Sequence, residues 1–95
     1  MTNKSKNTAV ITVVGRDRVG IIAGVAGLLA SRQINIKDIS QTILDDVFTM
    51  IMLVDLAGSR FDIKELAGCL DALGSDLGVS IRIQHADIFD AMHRI

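Results

Sequence analysis

The segment Gly15-Arg16-Asp17-Arg18-Val19-Gly20 gathers two glycines and three charges between a β-branched run and a stretch of helical periodicity. Free N–H groups at a helix start, with the positive end of the helix dipole, form a small anion site. Gly20 omits a side chain at the mouth, so a ligand can approach the backbone. Asp17 also has a plain structural use, capping the helix that follows. Arg16 and Arg18 read equally well as solvated loop charges. This is not a Walker loop, because Ile21 and Ile22 stand where Lys and Ser/Thr would be required. It is not a dinucleotide fingerprint either.

Other reactive residue types are sparse. His85 and His93, with Asp87 and Asp90 nearby, match no tight metal-ligand spacing and read as structural or surface residues. Cys69 is the single cysteine. It lies beside an apolar helical stripe with no pair of basic neighbours to lower its pKa, and reads as a small core residue. No Ser-His-Asp arrangement has useful spacing. Neither a metal, a cofactor nor a catalytic residue is expected, and the chain does not read as an enzyme.

The elements that must position the loop follow from hydrophobic period. Residues 8–14 (TAVITVV) read as a buried strand. Residues 19–32 form a helix, with Ile22, Val25, Ala26 and Leu29 on one face. Gly24 and Gly27 inside it let the helix pack close to the sheet. Residues 35–44 form a strand in which Ile36 and Ile39, three apart, require a bulge near Lys37–Asp38 to share a face. Asp45–Asp46 makes a tight turn into strand 47–56. Phe48, Met50, Met52 and Val54 take one face of that strand, while Val47, Ile51 and Leu53 make the other largely apolar. A second helix starts at Asp62 in a capping box with Glu65. Its stripe runs through Ile63, Leu66, Ala67, Leu70, Leu73, Gly74 and Leu77, and Gly78 ends it. Strand 79–85 alternates inward and outward, and residues 86–95 suggest a short C-terminal helix.

The order β-α-β-β-α-β predicts an α+β ferredoxin-like sandwich: a four-stranded antiparallel sheet with two helices on one face. The predicted strand order is fourth, first, third, second. Apolar Ile51 and Leu53 on the open face, or an unpaired edge strand, point to self-association as a homodimer.

Composition bounds the remaining classes. Ninety-five residues suit one domain; 49% are hydrophobic, 22% charged, and the net charge is −1. Residues 1–37 hold six Lys/Arg and one Asp, whereas residues 38–95 hold four Lys/Arg and ten Asp/Glu. Two solvated faces of opposite sign or attraction between copies would both produce this. Near-neutral charge and only three Phe, with no Trp or Tyr, argue against nucleic-acid binding, including the RNA-recognition module of the same element order. No apolar run approaches the ~20 residues of a membrane span. The polar start and lone cysteine fit a cytoplasmic protein. Residues 1–7 read as a flexible tail before one domain over 8–95.

The strand AVITVVG, the loop GRDRVG, the helix IIAGVAGLLA and the stretch NIKDISQT together resemble an ACT domain, a small regulatory module that binds amino acids. The similarity covers residues 8–95. DISQTILDDVFTMIMLV and the ending DIFDAMHRI resemble the stand-alone single-ACT proteins and one half of the glycine cleavage system repressor. The resemblance implies a ligand held between two copies. One wall is Gly15, Arg16, Asp17, Arg18, Val19, Gly20 and Ile21; the other is Asn35, Ile36 and Asp38 of a neighbouring copy. An amino acid's carboxylate would suit the N–H groups at Val19–Ile21. Its ammonium would suit Asp38 or the carbonyls near Asn35. The implied role is regulation of a metabolic enzyme or regulator. The alternative is an interaction subunit that keeps the fold without a ligand.

Overall fold

The computed structural model describes residues 7–16 and 19–86. Of the expected tail only Asn7 is among them; its carbonyl accepts the Leu56 N–H at 2.6 Å. The expected C-terminal helix lies outside the described residues after Ala86, as does His93.

Four strands and two helices alternate as predicted: β1 (Thr8–Arg16), α1 (Ile21–Ser31), β2 (Asn35–Leu44), β3 (Val47–Asp55), α2 (Ile63–Leu77) and β4 (Val79–His85). The sheet order is β2-β3-β1-β4, and every neighbouring pair is antiparallel. β2 and β4 are therefore the edges. The fold is the ferredoxin-like sandwich.

One sheet face is dry. Ala9, Ile11 and Val13 of β1 and Met50, Met52 and Val54 of β3 are fully buried beneath Val25, Leu29, Leu66 and Leu70. The two-residue period of β3 and the helical period of α2 thus converge on one core. On the other face Ile51 is 40% exposed and Leu53 is half-buried.

The bulge falls where the isoleucine spacing demands it. Ile36 pairs with Val54 and Asp38 with Leu53, leaving Lys37 without a partner in the ladder. Ile39 then faces Met52, so Ile36 and Ile39 share the helix-covered side. Asp45 makes the turn to β3 with a φ of 55°.

The structure corrects several boundaries. β1 continues through Gly15 and Arg16, which pair with Phe48 and Val47 rather than opening the loop. Gly15 is needed because β4 passes so close: a Cβ there would lie 2.6 Å from Val79 Cγ1. β3 stops at Asp55, one residue early. α1 begins at Ile21, and Ile21, Val25 and Leu29 form its buried stripe, while Ile22 is 41% exposed. The helix phase is thus one residue earlier than expected at this end. Gly24 packs against α2 and not the sheet, since a Cβ there would meet Leu77 Cδ1 at 3.2 Å; Gly27 borders open space.

Candidate functional site

α1 starts abruptly. Its N-cap is Gly20, left-handed at φ 97°, and not the expected Asp17. Asp17 and Arg18 lie outside the described residues. Gly20 offers no side-chain cap, and the first turn contains no acidic residue. The first intrahelical bond runs from Gly24 N–H to the Gly20 carbonyl at 2.8 Å. The N–H groups of Ile21, Ile22 and Ala23 precede that bond, as the orphan donors of a helix start do. Gly20 is exposed, and a Cβ there would meet nothing within 4 Å. The constraint on this glycine is its backbone conformation, not crowding. Val19 beside it is 98% exposed.

The second set of expected residues opens β2. Asn35 is exposed and pairs with Asp55, while Ile36 is half-buried against the core. Asp38 is exposed, and its Oδ1 accepts the Ile39 N–H at 2.9 Å. Alternation puts Asn35 and Asp38 toward the open face and Ile36 toward the helices.

Within one chain the two sets stand at opposite ends of the sheet. Thr8 and Asn35 both pair with Asp55, whereas Arg16 and Leu44 both pair with Val47. The eight steps between these rows amount to roughly 27 Å along a strand. One extended residue covers only about 3.6 Å. No single amino acid can touch both sets in the same chain.

The described surface has further features that the sequence did not single out. A groove of about 360 Å³ between α2 and β4 is lined by Ala67, Asp71 and residues 80–84, with none of the expected ligand residues among them. Cys69 is half-buried and does have a basic neighbour: Arg32 Nη2 lies 3.7 Å from its Sγ. That proximity joins residues 37 positions apart, which no local pattern reveals. Among the described residues, no three His, Cys, Asp or Glu side chains cluster as a metal site would require, and no helix is long and apolar enough to cross a membrane.

The family pattern of the ACT domain matches residues 7–84. The chain belongs to the ACT domain family. ACT domains are regulatory modules that bind small ligands, and the family is not a catalytic one. A UPF0237 protein of Clostridium acetobutylicum is 54% identical over 87 residues, which are 92% of this chain and 98% of that protein. The solved ACT domain protein from Streptococcus pneumoniae has a TM-score of 0.78 and 47% identity, covering 92% of this chain and 98% of its own. A structure assigned as a glycine cleavage system transcriptional repressor has a TM-score of 0.71 and 31% identity. It covers 82% of this chain and 44% of its own length. The match therefore spans nearly the whole of the two former proteins and less than half of the third.

Proposed function

We propose that this single ACT domain works as a stand-alone regulatory module, binding an amino acid or similar small ligand between two copies of the chain. The observation that carries the reading is the separation of the two residue sets. The donors at the α1 start and the residues Asn35, Ile36 and Asp38 lie too far apart to serve one small ligand within a chain, so a shared site needs two.

The β2 edge supplies the means. Ile39, Ile43 and Leu44 leave 41%, 52% and 73% of their surface exposed along it, and an edge strand presents unpaired backbone groups. Antiparallel pairing of two β2 strands about a two-fold axis sets Asn35 of one copy against the Leu44 end of the other. The end of β1 and the start of α1 lie at that same end, three strand spacings from Asn35 of the other copy, about 14 Å. An amino acid together with the side chains and backbone groups that hold it spans such a gap. The carboxylate takes the N–H groups at the α1 start, whose dipole favours an anion. The ammonium takes Asp38 or the carbonyls near Asn35. Gly15 and Arg16 support this wall from the end of β1, while Asp17 and Arg18 complete the loop.

On this reading the protein is non-catalytic and cytoplasmic. It controls a metabolic enzyme or regulator through ligand-dependent contact, with no nucleic acid or membrane as partner. A thermal-shift screen of the twenty amino acids, paired with sedimentation, tests it. One of them at 100 times its dissociation constant should stabilise the dimer by about 2.7 kcal/mol. A monomer, or a dimer that responds to none of them at millimolar concentration, would contradict it; the unresponsive dimer would instead favour a ligand-free interaction subunit.

A further inference from the structure

The opposite end of α1 holds a feature that lies outside this reading. The helix closes with Gln33 N–H bonded to the Ala30 carbonyl at 3.0 Å and Ile34 N–H bonded to the Leu29 carbonyl at 2.9 Å. Gln33 takes a left-handed φ of 61° to make both bonds. This is a Schellman closure with glutamine in glycine's usual place. It fixes Arg32 at the helix end.

Arg32 is held on three sides. Its guanidinium lies 5.5 Å from the Phe61 ring centroid. Nη1 donates to Ser31 Oγ at 2.7 Å, and Nη2 reaches Cys69 Sγ at 3.7 Å. Nε is buried and has no acceptor. A cavity of about 280 Å³ adjoins the residue, lined by Ser31, Arg32, Gln33, Arg60 and Phe61. Two of these five residues are arginines and none is a carboxylate. Among the described residues neither arginine makes an ion pair.

Such a wall carries positive charge with no carboxylate to balance it. A guanidinium held over an aromatic ring and bonded on two sides has little conformational freedom left to lose on binding. Oxyanions accept hydrogen bonds from two arginines with matching geometry. The α1 carboxyl end disfavours an anion, but the closure ties up the Leu29 and Ala30 carbonyls, and two full positive charges outweigh a fractional one. We propose that this cavity binds a small organic anion through a carboxylate or phosphate group, with Arg32 and Arg60 as donors and Phe61 as the packing wall. Its volume lies just below the roughly 300–1,000 Å³ of small-molecule sites, which suits a dicarboxylate or a phosphomonoester better than a nucleotide.

The arginine Nε–H signals in a nitrogen–proton NMR spectrum of the full chain read the site directly. The probes are inorganic phosphate and succinate, each compared with sodium chloride at matched ionic strength. Saturable movement of the Arg32 signal with either anion is expected. Saturation by phosphate alone assigns phosphate esters, and saturation by succinate alone assigns carboxylates. Arg60→Gln, a change at an exposed residue, should weaken binding about tenfold, the scale of one charge-assisted contact, without altering the melting temperature in chloride. Arg32→Lys keeps the charge but loses the fork, and should abolish saturable movement of the Arg60 signal. Gly20→Val should titrate as the unmodified chain does, which keeps this site separable from the amino-acid site. Movement no greater than in chloride, an Arg60→Gln titration that matches the unmodified one, or loss of the response in Gly20→Val would each overturn the proposal.

Discussion

The two helices begin in opposite ways. α2 closes its own first turn: Asp62 Oδ1 accepts the Glu65 N–H at 2.8 Å, and Glu65 Oε1 accepts the Asp62 N–H at 3.0 Å. α1 begins on a left-handed glycine with no side chain to offer and no acidic residue in its first turn. A capping box contributes stability. A bare start leaves donors and a positive dipole end facing outward. Among the described residues, the difference separates a helix start finished by its own residues from one whose first N–H groups receive no side-chain cap. Both helices rest on the same core, so anchorage does not explain the contrast.

That contrast can be broken most severely from below. Leu70 is fully buried under α2. Leu70→Ala should lower stability by about 2–5 kcal/mol in denaturant unfolding, from lost transfer energy and the cavity left behind. A loss under about 0.5 kcal/mol would mean that the stripe does not anchor α2. Gly20→Val forces a β-branched residue into the left-handed region and should cost about 1–2 kcal/mol. It should also abolish any amino-acid-induced thermal shift, because it crowds the donors at the α1 start. Asp62→Ala removes the cap at the other helix and should cost about 1 kcal/mol, with the amino-acid response intact. Equal effects of these two variants on the ligand response would erase the functional distinction between the helix starts. The smallest expected effect is a gain. Gln33→Gly should add somewhat under 1 kcal/mol by relieving the left-handed strain at the α1 end, offset in part by glycine's greater freedom when unfolded.

Legibility in the sequence tracked the range of the interactions. The capping box was visible because Asp62 and Glu65 lie three residues apart. The bulge was visible because two isoleucines at odd spacing needed one face. The phase of α1 was less visible: Val19, Ile21 and Ile22 form a nearly continuous apolar run, and either isoleucine could lead the stripe until Gly20 is known to be the cap. Gly15 read as loop because only the structure shows Val79 pressed against it. The Arg32 cluster was invisible, since its contacts at Phe61 and Cys69 come from distant segments that the fold brings together. The register of β1 and β2 on β3 carries the separation between the end of β1 and the start of β2. That separation turns a list of ligand residues into a claim about two chains.

A complementation titration tests that claim most directly. Gly20→Val disables the donor wall, and Asp38→Lys reverses the charge at the wall opposite. Each variant alone should bind none of the amino acid that gives the largest shift with the unmodified dimer. Mixed in equal amounts and allowed to exchange, half of the dimers carry one of each chain, and each of those retains one site with both walls intact. Calorimetry should then recover about one site per four chains, as a two-fold dimer with shared sites requires. If the mixture binds nothing after exchange is verified, or if Gly20→Val alone binds at full stoichiometry, the site is not shared between copies and the account is wrong.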